Sequence, residues 1–546
     1  MPVINDAVKS NLPVVRPATF KQSIPAILIG VAAAFGGFLY GYDTGTISGI
    51  LAMEHFRKTF GVFWDVNIPS NFDLTNPKPG YDLSTGKQSL VTSILSLGTF
   101  AGSLIGAPIS DAVGRRPGIW IALVIFSIGV AMQTASTAVP LFAGGRVVAG
   151  LGVGIVSTIV PMYQSETAPR WIRGAVVSAY QWAITIGLLI AAIVNKGTAN
   201  RSDTGCYRIP IAIQLVFGAI LGLLFFLIPE SPRWLVKRQR RDEACQVLAR
   251  MYSTTPDDEV VQAEAFLIEN NLQIELSVST DSYMDCFKTH RNYLSRTLTG
   301  IFLQAWQQLT GINFIFYYGT TFFQSAIPSA DPFVFTIISN IVNVFSTVPG
   351  MWAMDKVGRR PLLFYGALWM TVCEYIVAIV GTTQGTGNKA AGRSLVAFVC
   401  LYIAAFASTW GPGAWVVCGE IFPLAIRAKA LSLCVASNWL WNFAIGYATP
   451  YLVHKGHGYA GLGTKVFFIW GSTCLIASLF AFFTIYETAG LSLEEVDEMY
   501  ASIGPLQSTA ANAEITQRRN VLEAEAVQQE VERTDMKAGD LKLETV

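Results

Sequence analysis

An aspartate lies in the middle of the first long apolar stretch of the chain, and an arginine lies inside the fourth. Asp43 precedes Met53 by ten residues, which places it about 15 Å from the outer end of a helix, half-way across a core about 30 Å thick. Arg146 lies six residues into its segment, about 9 Å deep. An ionised carboxylate is tolerated beside an arginine and a neutral one is tolerated alone, so proton release and ion pairing are coupled. The pair predicts a proton switch, with a permanent structural ion pair as the alternative.

The composition indicates that a membrane surrounds these charges. Of the 546 residues, 52% are hydrophobic and 14% are charged, against about 25% charged residues in a typical soluble domain, and the mean hydropathy is +0.44. The formal net charge of +1 gives no sign of a nucleic-acid partner. The sequence predicts an all-α membrane protein with twelve transmembrane helices. The segments are 24–53, 88–109, 118–138, 140–164, 174–195, 209–229, 297–324, 333–354, 361–382, 394–419, 429–453 and 465–486.

Basic residues beside the short loops indicate which face is cytosolic. GRRP (114–117), RWIRG (170–174), GRRP (358–361) and RAK (427–429) all fall on one face. We expect both termini on this cytosolic face and no removable signal peptide. The predicted regions are a cytosolic tail (1–20), a first six-helix bundle (21–229), a cytosolic helical linker (230–296), a second six-helix bundle (297–487) and a cytosolic tail (488–546), largely disordered after about residue 505.

Two motifs recur in the two halves of the chain. GAPISDAVGRRP from Gly106 and GMWAMDKVGRRP from Gly350 share G-x4-D-x2-GRRP, and E-x2-P-x3-R follows the fourth segment of each half. Duplicated parallel halves are an arrangement that alternating-access transporters use. Acids and arginines at matching positions predict a cytoplasmic gate between the halves, with loop anchoring as the alternative. The predicted gate residues are Asp111, Arg115, Glu166, Arg173, Asp355, Arg359, Glu420 and Arg427.

Several motifs together resemble the sugar porter family of the major facilitator superfamily. They are the two GRR loops, PESPRWL from Pro229, QQLTGINFIFYY from Gln307 and WGPGAWVVCGEIFP from Trp410. Their order and spacing match the family from about residue 24 to 498, and GYDTGTISGIL in the first segment is most similar to fungal proton-coupled hexose transporters. The resemblance implies two pseudo-symmetric six-helix bundles in the plasma membrane, a monosaccharide substrate, and Asp43 with Arg146 as the proton-coupling pair.

The resemblance also implies which residues bind the sugar. Neutral amides donate and accept hydrogen bonds as sugar hydroxyls do, without a buried charge, and an indole suits the apolar faces of a pyranose. Hydrogen bonding between helices is the alternative for any single amide. Tyr317 and Tyr318 are predicted to close the outer mouth, with aromatic packing as the alternative. The implied sugar-binding residues are Gln181, Gln307, Gln308, Asn313, Asn343, Trp415 and Asn438.

The expected function is import of a monosaccharide, a hexose with glucose as the first candidate, by proton symport through alternating access. A passive hexose facilitator and a non-transporting membrane sugar sensor remain the alternatives. No residue group suggests catalysis, a metal or another cofactor, so the coupling ion is H⁺. We expect a monomer in contact with lipid, whose cytosolic tail is open to regulators. Glu374, another acid inside an apolar segment, has no assigned role.

Overall fold

The structure is a computed structural model that describes residues 20–64, 80–276, 282–289, 292–326, 331–383, 389–453 and 459–521. Each of the twelve predicted apolar segments is helical. The first half contains α1 (Phe20–Ile50), α2 (Glu54–Phe60), α3 (Thr85–Val113), α4 (Arg115–Ala135), α5 (Val139–Thr167), α6 (Arg173–Thr198) and α7 (Gly205–Leu227). The linker contains α8 (Pro232–Lys237), α9 (Arg241–Tyr252) and α10 (Glu259–Leu276). The second half contains α11 (Tyr293–Leu309), α12 (Ile312–Ala326), α13 (Pro332–Lys356), α14 (Arg359–Thr383), α15 (Lys389–Ser408), α16 (Trp410–Glu420), α17 (Arg427–Val453) and α18 (Val466–Thr484), followed by α19 (Leu493–Ser502).

Ten helical stretches in the described part of the chain are long and apolar enough to cross a membrane, and α15 with α16 counts as one of them. The two predicted spans outside this set are α17 and the pair α11 and α12. The pair is interrupted between Leu309 and Ile312, and α17 carries Asn438 and Asn442 in its middle. These two less apolar spans supply many of the polar side chains of the site described below.

The two halves meet along two seams that are related by the internal repeat. The second span of the first half, α3, packs against the fifth span of the second half, α17. The fifth span of the first half, α6, packs against the second span of the second half, α13. Such reciprocal packing is expected when two duplicated halves face each other across a pseudo-two-fold axis.

Glycines allow α1 to lie very close to α6. A Cβ atom at Gly41 would lie 2.0 Å from the carbonyl oxygen of Ile184, so a larger residue would push the helices apart. Gly45 contacts the same helix at Ala191. A Cβ atom added at Gly45 would lie 2.8 Å from Cβ of Ala191. The stretch that contains Asp43 is therefore fitted against α6 through backbone contacts.

Two findings differ from the expected all-α fold and disordered tail. Strands β1 (Val62–Trp64) and β2 (Gly80–Asp82) form an antiparallel hairpin in the loop after α2, where β-favouring residues follow one another. The tail, expected to be disordered after about residue 505, is helical over 508–521. Hydrogen bonds hold this helix: Asn512 donates to the carbonyl oxygen of Glu487 (3.1 Å), and Arg519 donates to that of Gly490 (3.0 Å). These polar contacts act together with Ile515, which packs against the hydrophobic core. Residues 1–19 of the predicted N-terminal tail and residues 522–546 lie outside the described residues.

The linker and the tail are joined by an ion pair on the face that carries Arg115 and Arg359, here called the GRR face. Arg233 of α8 lies 2.7 Å from the carboxylate of Glu494 on α19. Burial opposes ionisation of Glu494, but the guanidinium of Arg233 outweighs it and lowers the pKa of Glu494 to about 2. This pair therefore remains charged at neutral pH.

Candidate functional site

The two halves enclose a central cavity at their interface. Helices α1 and α6 form one side of it, and α11, α12, α15, α16 and α17 form the other. All of the lining residues are uncharged, so the cavity suits a neutral polar ligand. They are Tyr40, Thr44, Gln181, Ile184, Leu188, Gln307, Gln308, Ile312, Asn313, Phe316, Phe406, Trp415 and Asn438.

The cavity brings together six of the seven residues implied to bind sugar. The exception is Asn343, which is buried on α13 away from this cavity and whose amide has no hydrogen-bond partner among the described residues. The sequence analysis missed Tyr40, Thr44, Phe316 and Phe406 as lining residues. The sequence spacing could have predicted one pair of these lining residues. Tyr40 and Thr44 are four residues apart, so they lie on the same face of α1.

A network of amides fixes the second-half wall of the cavity. Asn438 donates hydrogen bonds to the side-chain oxygens of Gln304 (2.6 Å) and Gln307 (2.7 Å). Gln307 donates in turn to the carbonyl oxygens of Trp410 (3.0 Å) and Gly411 (2.8 Å). These bonds connect α17, α11 and α16, so the amides are held in one orientation around the cavity. Gln304 was not identified from the sequence.

The break between α11 and α12 lies beside the cavity. Gly311 has a φ of +82°, and a Cβ atom there would lie 2.4 Å from Cγ of Trp470, so a side chain is excluded both by conformation and by space. Gln308 and Asn313 flank the break and are hydrogen-bonded to each other. The helix predicted at 297–324 is thus two helices, and its discontinuity turns two amides toward one ligand site.

A buried acid lies close to this break. The hydroxyl of Tyr402 donates to the carbonyl oxygen of Thr310 (2.7 Å), which the break has freed. Glu374, the acid without an assigned role, interacts with Tyr402 and accepts a hydrogen bond from the thiol of Cys474 (3.4 Å). Glu374 is therefore part of the support for the broken helix and does not line the central cavity.

Trp415 presents its indole to the cavity from α16. Tyr180 of α6 packs against it edge-on, with ring centroids 5.1 Å apart and planes at 72°. The contact crosses from one half to the other, so the indole is held by both. An aromatic surface in this position suits the apolar face of a ring-shaped polyol.

Asp43 and Arg146 are close together inside the first half, as their depths predicted. Nη2 of Arg146 lies 3.7 Å from Oδ2 of Asp43, and the two side chains are only 3% and 0% exposed. By distance and angle, neither oxygen of Asp43 accepts a hydrogen bond from a described residue, although the side chain of Gln214 lies close enough to stabilise the carboxylate. The two groups attract each other as charges but are not locked by hydrogen bonds.

Two further residues lie near Asp43: Gln214, which the sequence analysis did not assign, and Tyr317, which it assigned only to the outer mouth. Gln214 of α7 is 1% exposed and lies beside the carboxyl group. Tyr317 of α12 is near enough to interact electrostatically with both Asp43 and Arg146. The charged pair is thus connected to a helix of the opposite half. A polar residue in an apolar helix was the only sequence signal for Gln214.

The repeated motifs of the GRR face form equivalent ion pairs in the two halves. In the first half, Arg115 donates to Glu166 from Nη2 (2.7 Å) and Nε (3.0 Å). In the second half, Arg359 donates to Glu420 from the same two atoms (2.8 and 3.2 Å). Both bidentate pairs lie within one half, so they brace each bundle and do not join the two.

Different contacts cross between the halves on the GRR face. Oδ2 of Asp355 accepts a hydrogen bond from the backbone amide of Ala175 at the start of α6 (2.8 Å). Nζ of Lys429 on α17 lies 3.6 Å from Oδ2 of Asp111 on α3. Across these seams, the two aspartates of the predicted gate therefore contact a backbone amide and a lysine of the opposite half.

The remaining gate residues interact across the same seams. Arg173 of the first half donates to the carbonyl oxygen of Leu491 (3.3 Å), and the charge of Glu420 acts on it. The charge of Arg427 in the second half acts on Glu166 in the first. Each half thus contributes an arginine that faces the glutamate of the other, which follows from the duplicated motif.

The two predicted outer tyrosines contact α17 on the side of the cavity away from the GRR face. The hydroxyl of Tyr317 donates to Oδ1 of Asn442 (2.7 Å), and that of Tyr318 donates to the carbonyl oxygen of Gly446 (2.8 Å). Asn442 also accepts from Ser96 of the first half (2.6 Å) and donates to Gln308 of the cavity (3.3 Å). The cavity is consequently covered on both sides.

Comparisons with known proteins agree with this architecture. The family model described as Sugar (and other) transporter matches residues 29–500. The Aspergillus rugulosus protein named Major facilitator-type transporter ecdD is 48% identical over 501 residues, covering 89% of each chain. The Neurospora crassa Probable glucose transporter rco-3 is 42% identical, covering 88% of this chain and 80% of the relative. The Saccharomyces cerevisiae High glucose sensor RGT2 is 40% identical, covering 89% of this chain and 62% of the sensor.

A solved structure shows the same fold. The proton:xylose symporter XylE from E. coli, bound to 6-bromo-6-deoxy-D-glucose, superposes with a TM-score of 0.75 at 29% identity and covers 88% of this chain and 100% of its own. The match confirms the predicted fold of two six-helix bundles, and the family excludes an enzyme. The chain therefore belongs to the sugar porter family of the major facilitator superfamily, as a multi-pass membrane transport protein.

Proposed function

We propose that this protein imports a hexose, with glucose as the first candidate, by proton symport across the plasma membrane. The positive-inside rule makes the GRR face cytosolic, with both termini on that side. The uncharged amides and the Trp415 indole of the central cavity suit a sugar, and the names of rco-3, RGT2 and XylE refer to glucose or xylose.

The observation that carries proton coupling is the loose contact between Asp43 and Arg146. The two atoms are 3.7 Å apart, both side chains are buried, and Asp43 accepts no hydrogen bond from the described residues. A carboxylate in such a place is stable when ionised only because of the arginine, and it is stable without the arginine when protonated. Proton binding and separation of the pair are therefore one event.

Helix α1 connects that event to the sugar. Tyr40 and Thr44 line the central cavity on the same helix as Asp43. Protonation of Asp43 ends its attraction to Arg146 of α5, so α1 is free to move toward the bound sugar. The loaded carrier then opens its GRR face, which requires Asp355 and Lys429 to leave their partners in the opposite half.

The proton gradient is sufficient for accumulation. One proton that moves through about 100 mV and one pH unit releases about 3.7 kcal/mol. At one proton per sugar this energy supports about 500-fold accumulation. A carrier that used no proton would stop at equal concentrations on the two sides.

The test measures proton entry and sugar accumulation together. Cells that lack other hexose transporters would express the wild type, Asp43→Asn, or the control Asp203→Asn, which changes an aspartate in an exposed pair with Arg201. We expect glucose to make an unbuffered suspension of wild-type or Asp203→Asn cells alkaline. Asp43→Asn should abolish both this signal and accumulation above equilibrium, because the asparagine cannot carry the proton.

Each alternative has its own signature in the same experiment. Glucose entry without proton entry in the wild type would identify a passive facilitator and make Asp43 a structural residue. No hexose uptake by protein located at the cell surface would identify a sensor, a function for which the relationship to RGT2 is the supporting observation.

A further inference from the structure

A second cavity lies next to the central one. The two share Leu188 and Phe316 as a common wall. On α1 the second cavity is lined by Ser48, which follows the central-cavity residue Thr44 along the helix, and on α6 by Asn195, which follows Gln181. Both helices run away from the GRR face, so the second cavity lies on the outer side in the proposed orientation; it is called the outer cavity below.

The chemistry of the outer cavity resembles that of the central one. Its polar lining consists of hydroxyls and amides, with Ser48 and Asn195 from the first half and Thr320, Thr336, Ser339 and Asn340 from the second. None of its lining residues is charged. Such a surface binds hydroxyl groups without attracting ions.

Two buried polar atoms of this cavity lack a partner. Asn195 uses its Nδ2 to donate to the carbonyl oxygens of Gly45 (3.0 Å) and Thr46 (3.3 Å), but its Oδ1 accepts nothing from the described residues. The hydroxyl of Ser48 likewise has no partner among them. Asn195 is 1% exposed and Ser48 is 5% exposed. Buried polar groups of this kind are normally satisfied, so their presence points to a hydroxylated ligand that supplies the missing bonds.

An ion pair covers the outer end of the cavity and joins the two halves. Lys196 at the end of α6 forms a salt bridge with Asp331, which precedes α13. The ammonium of Lys196 lies 5.8 Å from the ring centroid of Phe333, a residue that lines the outer cavity. Separation of the halves at this seam would break the salt bridge and open the outer cavity before the central one.

We propose that the outer cavity is a second monosaccharide-binding subsite, occupied by the sugar on its way to the central cavity. This proposal rests on the proposed function as a sugar importer. A hydroxyl group of the sugar in the outer cavity donates a hydrogen bond to Oδ1 of Asn195, and another forms a hydrogen bond with the hydroxyl of Ser48. The ring of Phe316 separates this sugar from one in the central cavity.

The test counts sugars on the purified protein. Equilibrium dialysis against labelled glucose would be run on the wild type and on two variants that fill the outer cavity from opposite walls, Ser48→Phe and Ser339→Phe. Asn438→Ala removes a central amide, and Ser472→Phe makes the same change at an exposed position of α18. We expect two glucose molecules per chain in the wild type and in Ser472→Phe. Either cavity-filling variant should retain only the central one, and Asn438→Ala should weaken that one.

The outcomes separate the two proposals. One glucose per chain in the wild type, abolished by Asn438→Ala and accompanied by normal uptake, would overturn the outer subsite and leave the sugar importer in place. Two sites that persist in both Ser48→Phe and Ser339→Phe would also overturn it. No glucose binding and no uptake by the wild type would overturn the proposed function itself. Retained central binding in at least one filled variant shows that the loss of the second sugar is not caused by misfolding.

Discussion

The first half contains two buried arginine–carboxylate pairs that are held in different ways. Arg115 donates two hydrogen bonds to Glu166 (2.7 and 3.0 Å), and the hydroxyl of Ser231 donates a third (2.5 Å). Arg146 and Asp43 are 3.7 Å apart, and Asp43 accepts no hydrogen bond from the described residues. All four charged side chains are nearly inaccessible. Burial alone therefore does not determine how firmly a pair is held.

The difference indicates two roles for the same chemistry. A buried ion pair with satisfied hydrogen bonds has one favourable arrangement, and breaking it leaves several polar groups unpaired. A pair held by charge alone loses less when its members separate, especially if the acid takes up a proton at the same time. The Arg115 pair is thus suited to brace the bundle, and the Arg146 pair is suited to change state. The second half repeats the brace as Arg359 with Glu420.

The largest expected effect is the loss of stability when Glu166, the carboxylate of the firmly held Arg115 pair, is replaced by a neutral residue. Glu166→Gln removes the closest countercharge of the buried Arg115 and the acceptor of its two hydrogen bonds, leaving Asp111 at 3.5 Å as its salt-bridge partner, so the free energy of unfolding should fall by about 3–5 kcal/mol. Asp43→Asn also leaves a buried arginine without its carboxylate, but it breaks no direct hydrogen bond, so its cost should be smaller than that of Glu166→Gln by about 1.5–3 kcal/mol. Thermal unfolding of the purified proteins in detergent measures the difference.

Glu420→Gln is the matched variant in the other half and should behave like Glu166→Gln. Asp203→Asn removes one member of an exposed pair, with side chains 49% and 59% exposed, and should leave the melting temperature unchanged. Equal destabilisation by Glu166→Gln and Asp43→Asn would contradict the distinction between brace and switch.

A smaller effect is expected when each arginine is replaced by lysine. An ammonium keeps the charge but cannot form the two parallel hydrogen bonds of a guanidinium. Arg115→Lys should therefore lower the free energy of unfolding by about 1–3 kcal/mol. Arg146→Lys should lower it by less, because the lysine keeps the charge and Arg146 donates no hydrogen bond to Asp43 that would be lost. The same thermal unfolding assay, combined with sugar accumulation in cells, checks both variants.

Arg146→Lys should also retain accumulation of sugar, because a lysine still provides the positive charge that Asp43 requires when it is ionised. Loss of accumulation in Arg146→Lys with unchanged stability would show that the switch depends on guanidinium geometry. That result would make the Arg146 pair more like the Arg115 pair than the structure indicates.

The sequence predicted features that depend on a single straight helix or on the repeat. The depths of Asp43 and Arg146 follow from the rise per residue, and the structure places the two side chains together. The repeat located Arg115 and Arg359 at equivalent places. Motif matching located most of the amides of the central cavity. The helical repeat determines which residues share a face of a helix, so motif residues with helical spacing face the same cavity.

Partners across the seams were not predictable in this way. Lys429 pairs with Asp111, and Asp355 accepts from the amide of Ala175, only because of how the two halves are set against each other. Gln214 is brought beside Asp43 by the packing of α7, which no local pattern encodes. The repeat therefore predicted which charged residues lie on the GRR face but not all of their partners, and their role as a gate stays a prediction.

The smallest expected effect concerns a third pair, which has a short contact but lies outside the membrane. Arg233 and Glu494 are 2.7 Å apart, and Glu494 is 27% exposed, so water screens the pair and Glu494→Gln should lower the free energy of unfolding at neutral pH by about 1 kcal/mol. The pKa of Glu494 is lowered from its ordinary value of 4.5 to about 2. Its contribution is therefore fully present above the ordinary pKa and is lost as the pH falls through about 2.

The measurement is the melting temperature of the wild type and Glu494→Gln across this pH range. The gap between them should be constant from about pH 8 to pH 5 and should close progressively toward pH 2. Glu498→Gln, a change at an exposed position of the same helix, should show no gap at any pH. A gap at pH 2 as large as that at pH 7 would mean that Glu494 stabilises the linker through packing and not through its charge. The short contact on the GRR face would then resemble neither the brace nor the switch, and distance alone would be a poor guide to the strength of an ion pair in this protein.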